Sequence, residues 1–254
     1  MYVFELQFER KAGSKNDDHL ESIDLLLAAL RMNGQILNDE FSIARKQKVD
    51  YAFAFTPEST SLHRQFDNKY VRQARERLNE IGLKLRLVNR GLNPESTPTC
   101  KCEKSSWLVL FADYISIDSS IRCGDCFGMV PLYRLRPTED EEFNGIISWR
   151  SDYRACDRLQ MNCRTGERFG LTQMSEHSSS LSKQGRELAS KLAILNKTPV
   201  YYYLYRGTGR SYETERKRKC PGCGGDWLLP DRICRFIDMK CEQCKLVSNI
   251  AWNV

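Results

Sequence analysis

Eleven cysteines lie in this chain of 254 residues, and eight of them fall in four close pairs. The pairs are Cys100 with Cys102, Cys123 with Cys126, Cys220 with Cys223, and Cys241 with Cys244. No other feature constrains the fold as strongly, because two pairs that share one metal ion tie distant turns of the chain together. The segment Met1–Arg10 alternates like a strand and shows no basic region followed by an apolar stretch, so no secretory signal is visible. The expected setting is therefore the reducing cytosol, where disulfides rarely persist and paired cysteines bind metal more often.

The C-terminal set is Cys220-Pro-Gly-Cys223, seventeen residues, then Cys241-Glu-Gln-Cys244. This spacing fits a structural zinc site. Two thiolates three positions apart on a tight turn can both bond one ion about 2.3 Å away. Gly222, Gly224 and Gly225 permit the turn. The intervening residues, including Trp227, Ile233 and Phe236, are expected to form a short hairpin that brings the second pair under the first. The alternatives are four unrelated core cysteines or a redox CxxC pair. Four thiolates with no open position describe a closed, structural site rather than a catalytic one. The internal set is Cys100-Lys-Cys102, twenty residues, then Cys123-Gly-Asp-Cys126. Between its pairs, Trp107–Phe111 and Tyr114–Ile117 read as two strands with a turn near Asp113. Two structural zinc ions are expected in all. Cys156 reads as a buried core thiol on a helical stripe with Phe143, Ile146 and Tyr153, Cys163 as unligated near that helix's end, and Cys234 as lining the terminal hairpin. His19, His63 and His177 are isolated and read as surface or helix-start residues, since neither cysteine set lacks a ligand.

The rest of the chain predicts an α+β protein. Residues 1–90 read as a βαβαβ sandwich, ferredoxin-like in expectation. Its strands are Tyr2–Phe8, Val49–Phe55 and Leu83–Leu87. One helix carries Leu20, Ile23, Leu27 and Leu30 after caps at Asn16–Asp18, and a second spans about 62–81 and ends at Gly82. Gly91–Thr99 has linker composition. An internal zinc-ribbon-like unit is expected over 100–135, where Val130–Leu135 reads as extended. A mostly helical segment follows over 136–205, with a capping box of Thr138 and Glu141 before a helix to about 160. A loop at Ser175–Ser182 leads to a helix closed off by Pro199, and Val200–Tyr205 reads as a strand. Gly207–Glu215 reads as a linker to a C-terminal zinc ribbon over 212–254.

Cys123-Gly-Asp-Cys126 followed by Val130-Pro-Leu-Tyr-Arg-Leu135, together with Cys220-Pro-Gly-Cys223-Gly-Gly-Asp-Trp227, resembles a bacterial family of unknown function. That family is described as zinc-ribbon-containing, with nucleic-acid binding suggested for it. The resemblance implies metal-binding roles for Cys220, Cys223, Cys241 and Cys244 and no particular activity.

The sequence admits three functions. Nucleic-acid binding would use the run Arg216, Lys217, Arg218 and Lys219, with Trp227, Tyr212 or Trp252 stacking on bases; the alternative is a solvated linker. The formal net charge of +6 is concentrated at the C-terminus, where residues 206–254 carry +4. Two zinc ions each held by four thiolates lower the whole chain to about +2, so only a local patch supports this reading. A protein-binding module, such as an adaptor or an immunity protein neutralising a toxin, would use the acidic cluster Glu139–Glu142; that cluster also reads as acid at a helix N-terminus. An enzyme is the least supported reading, since no open metal site, phosphate loop or H-E-x-x-H motif is present, and no small-molecule substrate is expected. The apolar run Ile23–Leu30, interrupted by Asp24, is too short to span a membrane.

Overall fold

The computed structural model describes residues 1–10 and 19–254. The helix caps expected at Asn16–Asp18 lie outside the described residues. The described chain forms a mixed α+β protein of two compact units, each with one sheet. The first comprises Met1–Thr99, Ile117–Ser119 and Met129–Asn144; the second comprises Cys100–Ser116, Ser120–Gly128 and Gly145–Val254.

In the first unit the order is β1 (Tyr2–Arg10), α1 (His19–Met32), β2 (Ala44–Lys46), β3 (Val49–Thr56), α2 (Lys69–Glu80) and β4 (Leu83–Leu92). The sheet order is β2-β3-β1-β4, with every neighbouring pair antiparallel. Strand β2 is an element the sequence reading did not contain. Alternation along β1 and β3 turns Phe4, Leu6, Phe8, Ala52 and Ala54 to a core shared with Ile23, Leu27 and Leu30 of α1. Helix α2 begins later than the hydrophobic stripe suggests. Asn68 takes an extended conformation and its side chain accepts from the Val71 N–H at 2.9 Å, which fixes the first turn there. Leu62 is still buried, but through a 3-10 turn at Arg64–Phe66 rather than through the helix. Gly82, at φ 75°, ends α2 as expected. Strand β4 runs on to Leu92 across a bulge opposite Val3 and Phe4, so the first two residues of the expected linker are strand.

The expected helix start at Thr138 and Glu141 is not formed. Glu139–Glu142 makes a tight turn with Glu141 at φ 64°, and the helix begins at Asn144. The acid instead serves α2: Glu141 Oε2 accepts from the Lys69 N–H at 3.0 Å, and Asp140 pairs with Lys69 at 2.6 Å. Val130–Leu135, expected to be extended, contains a 3-10 turn at Leu132–Arg134, and the Tyr133 hydroxyl reaches Ser61 and Glu58.

The second unit contains β5 (Leu108–Leu110), β6 (Ile121–Cys123), α3 (Asn144–Met161, from its second residue on), α4 (Glu167–Ser175), α5 (Ser180–Asn196), β7 (Val200–Leu204), α6 (Tyr212–Arg216), β8 (Leu228–Ile233), β9 (Ile237–Cys241) and β10 (Leu246–Ser248). The second strand of the internal hairpin lies later than expected. Tyr114–Ile117 is loop, because the Asp113 carboxylate accepts from Ser116 N at 2.6 Å and Tyr114 N donates to Asp157 at 2.9 Å. The two hairpins share one six-stranded sheet, ordered β6-β5-β7-β10-β9-β8. Strand β7 joins them by parallel pairing to β5 on one side and β10 on the other. Every residue of β7 is buried, which explains its unbroken Val-Tyr-Tyr-Tyr-Leu run. Tyr201 and Tyr203 pack with Val109, Ile237 and Val247. Tyr202 meets Trp149 of α3, and Gly185 of α5 lets that helix approach, since a Cβ there would lie 2.2 Å from the Tyr202 ring.

Candidate metal centres

The internal centre gathers Cys100 and Cys102 from the loop before β5, Cys123 from the end of β6, and Cys126 from the turn after it. Their sulfurs lie within 4.8 Å of one another. Cys126 to Cys100 is 3.5 Å and Cys123 to Cys102 is 3.9 Å. A tetrahedral ion with metal–sulfur bonds of about 2.3 Å requires sulfurs about 3.8 Å apart, whereas a disulfide needs about 2.05 Å. The cluster therefore has the dimensions of a four-thiolate metal site. Donors surround it: Ser105 Oγ donates to Cys123 Sγ at 3.2 Å, Gly128 N to Cys126 Sγ at 3.4 Å, and Cys102 N to Cys100 Sγ at 3.4 Å. These bonds orient ligands and offset thiolate charge. Gly128 is required by space, since a Cβ would lie 2.8 Å from the Cys100 Cα. The sequence reading missed Ser105 and Gly128; their only signal is proximity to the paired cysteines.

The terminal centre brings Cys220 and Cys223 against Cys241, at the end of β9, and Cys244, in the turn to β10. These four sulfurs also lie within 4.8 Å of one another, with Cys223 to Cys241 at 3.7 Å. The Cys244 N–H donates to Cys241 Sγ at 3.3 Å, and the Gly224 N–H donates to the Cys220 carbonyl at 2.8 Å. Gly224, at φ 73°, holds a left-handed conformation that suits glycine. A Cβ at Gly222 would lie 2.7 Å from Cys244 Sγ.

Electrostatics point the same way in both clusters. Hydrogen bonding to Cys100 and the other two thiols pushes Cys102 up to about 12, and burial raises Cys126. Burial is also the largest influence on Cys123, but hydrogen bonds from Ser105 and from backbone N–H groups outweigh it and leave this thiol below its ordinary value. In the terminal cluster burial raises Cys220 and Cys244, while the Gly225 N–H lowers Cys223. Four thiols this close resist full ionisation, and a divalent cation is the group that compensates four thiolates. Two structural metal sites fit these residues.

Cys156 is buried on α3, as expected, and Cys163 is exposed just past the end of that helix. Cys234 sits at the β8–β9 turn, packed against the terminal core, with its sulfur 3.9 Å from the Gly124 carbonyl of the internal centre. Among the described residues no histidine joins either cluster. His19 opens α1 and is buried, its ring meeting Arg10 and Arg45 near Asp50; His63 is exposed and His177 half-buried.

The basic run divides in two. The segment expected as a linker holds α6, capped by Ser211. Within it Glu215 is buried and bonded to Arg206, with Arg218 3.4 Å away. Arg218 turns inward: it donates to Ser248 Oγ and the Asn249 carbonyl and lies 4.9 Å from the Trp227 ring centre. Burial lowers its guanidinium to about 10, which leaves it charged at neutral pH. Lys219 pairs with Asp226 at 2.5 Å. Trp227 is buried, and its indole N–H donates to the Arg218 carbonyl. Arg216, over the Tyr212 ring, and Lys217 are exposed, as are Tyr212 and Trp252. Tyr212, Phe236 and Trp252 line a cleft of 210 Å³ together with Arg232 and Asp238.

Three family models match successive stretches: a domain of unknown function (DUF2310) over residues 102–205, a second (DUF8589) over 1–89 and a third (DUF8594) over 209–254. The chain is 35% identical to an uncharacterized protein of Haemophilus influenzae strain Rd, over 100% of this chain and 99% of that protein. A second uncharacterized protein of that strain is 39% identical over 62% of this chain and 78% of its own length. Among the described residues no helix is long and apolar enough to cross a membrane.

Proposed function

We propose a role for a chain that belongs to the bacterial family of unknown function represented by the Haemophilus influenzae protein it matches from end to end: a non-catalytic, zinc-stabilised protein that binds nucleic acid through its terminal unit. Zinc is the metal this reading assigns, because four thiolates at tetrahedral spacing suit it and the ion needs no redox partner. Each ion would be held by all four thiolates, Cys100, Cys102, Cys123 and Cys126 in one centre and Cys220, Cys223, Cys241 and Cys244 in the other. No coordination position is left for a substrate, so the ions fix turns and the surface does the binding. A cytosolic setting accompanies this reading, since metal-ligating cysteines and an exposed thiol outside both clusters, Cys163, persist in reducing surroundings. For the first unit the reading is a ferredoxin-like layer, supported by its β-α-β-β-α-β connectivity and the antiparallel order β2-β3-β1-β4.

The observation that carries the nucleic-acid reading is the cleft lined by Tyr212 and Trp252, with exposed Arg216 over the Tyr212 ring and exposed Lys217 following it in the chain. Aromatic faces with neighbouring cations suit bases and phosphates. The contact is drawn around Arg216 and Lys217; Arg218 and Lys219 have partners within their own unit. The protein-partner reading, a toxin-neutralising one included, has Glu139–Glu142 as its example of an acidic contact, and Asp140 and Glu141 of that cluster are engaged at the α2 N-terminus. Fluorescence anisotropy with labelled oligonucleotides over a salt series tests the proposal. Wild type should bind with a negative log–log salt slope, and Arg216→Ala with Lys217→Ala should weaken binding and reduce that slope by about 1 to 2. Binding that ignores both substitutions would remove the terminal unit as the contact.

A further inference from the structure

The sheet of the first unit has two faces of unlike character. On β3 the residues turned to the helices are small or polar: Asp50, Ala52, Ala54 and Thr56. The residues turned the other way are Tyr51, Phe53 and Phe55. A solvated antiparallel face ordinarily carries polar side chains, with the bulky apolar ones inside. Here that distribution is reversed on a central strand. Phe53 is 53% exposed. Phe55 packs with Met1, Leu37 and Met129, while Tyr51 stays half-buried on the sheet. Burial in the core therefore accounts for neither Tyr51 nor Phe53.

The strand register shows what surrounds the two rings. Tyr51 stands opposite Gln7 and Ala44, and Gln7 stands opposite Arg86. One step along the same face, Lys46, Val49, Glu9 and Lys84 form a row. Lys46, Lys84 and Arg86 are exposed, with no ion-pair partner among the described residues. The central acid, Glu5, opposite Phe53, is already satisfied: it accepts from Gln7 at 2.7 Å and from Arg90 at 2.9 and 2.6 Å. The face thus has two rings in its middle, an amide beside them, the Glu9 carboxylate one row on, and at both edges cations that have no ion-pair partner among the described residues.

We propose that this open face is a platform for single-stranded nucleic acid, with one base on the Tyr51 ring, the next on the Phe53 ring, and the phosphates along Arg86, Lys84 and Lys46. Residues i and i+2 of a strand lie about 6.7 Å apart, twice the roughly 3.4 Å rise between stacked bases of one duplex strand. Bases must be splayed to meet both rings, which a single strand allows and a duplex forbids. Lys46, Lys84 and Arg86 outnumber Glu9 on this face, so pairing it with a second copy of the chain would bring two net positive surfaces together. The partner class is that of the reading above, but other residues carry the inference, so the two can fail separately.

The test is anisotropy titration of the full, metal-loaded chain with labelled single-stranded oligouridylate, oligothymidylate and a duplex of equal length. Wild type should prefer either single strand to the duplex. Phe53→Ala and Tyr51→Ala should each weaken single-strand binding by about 5-fold to 100-fold, with Phe53→Tyr restoring most of it. Lys84→Ala with Arg86→Ala should lower the salt slope by about 1 to 2. Melting curves of the variants confirm folding, and an exposed ring such as Phe53 can be removed without emptying the core. The inference is overturned if wild type binds no single strand, if it prefers duplex, or if folded Phe53 and Tyr51 variants bind as wild type does. It is equally overturned if Phe53→Ala changes only the sedimentation coefficient, which would make the occupant a second copy. If Arg216 and Lys217 variants lose binding while the sheet variants keep it, the platform fails and the terminal contact stands; the reverse outcome leaves the platform and removes the terminal contact.

Discussion

Replacing Cys241 by serine tests both the terminal metal centre and the shared sheet. Cys241 is the last residue of β9, and its sulfur lies 3.7 Å from that of Cys223 and receives the Cys244 N–H at 3.3 Å. Zinc binding to such units is worth about 10–16 kcal/mol. If four thiolates share this evenly, losing one costs about 2.5–4 kcal/mol, or two to three orders of magnitude in affinity. The total binding energy is as large as the net stability of a whole domain, about 5–15 kcal/mol, so the terminal hairpin is expected to fold only with metal. The consequence then travels through the sheet. Leu246 pairs with Cys241 on one side and with Tyr202 of β7 on the other, so loosening β10 exposes an edge of β7. After challenge with a competing chelator, elemental analysis should find two metal ions per wild-type chain and one per Cys241→Ser chain. Hydrogen exchange should show lost protection in β9, β10 and β7, with β1, β3 and β4 unchanged. Retention of both ions by the variant, or lost protection in β1–β4 and not in β7, is incompatible with a four-thiolate centre that supports β7 through β10.

Gly128→Ala should loosen the internal centre, because the new Cβ meets backbone atoms of Cys100 at 2.8 and 2.9 Å; a cost of about 1–3 kcal/mol and faster metal release to a chelator are expected, with the terminal ion retained. Arg218→Ala should destabilise the second unit by about 2–3 kcal/mol, since it removes two hydrogen bonds and a charge beside buried Glu215, whereas Arg216→Ala should stay within about 0.5 kcal/mol in the same urea titration. Burial raises Asp157 to about 6, so the folded state holds its proton more tightly than the unfolded chain. Its stabilising contribution is complete below the ordinary carboxylate range and is lost as pH rises through about 6. Asp157→Asn, which can still accept from the Tyr114 N–H, should gain on wild type by about 1–2 kcal/mol between pH 4 and pH 7 after allowance for solvent screening; no gain in paired denaturation curves would reject this.

Several local features were legible because their causes lie within a few residues. Gly82 stops α2 where φ turns positive, and the CxxC turns place sulfurs together through their own backbone geometry. Leu62 misled the helix boundary because a 3-10 turn can bury the same stripe residue, and the Asn68 cap decides the start. Glu141 reads as a cap for the helix that follows it, yet it caps α2, far earlier in the chain. The aromatic run of β3 was visible as a strand, but which residues faced solvent depended on the register with β1.

Spacing along the chain is enough to mark the two four-cysteine sets, because ligand spacing is a local property and four thiolates complete a tetrahedron with no outside help. It also carried the helical stripes and most strands, through periodicity. Long-range packing is what makes β7 fuse both hairpins into one sheet, turns Arg218 and Trp227 inward, and leaves Tyr51 and Phe53 on the outer face. Those outcomes depend on which strand becomes whose neighbour. Neighbour choice is settled by packing between residues far apart in the chain, where no local spacing records it.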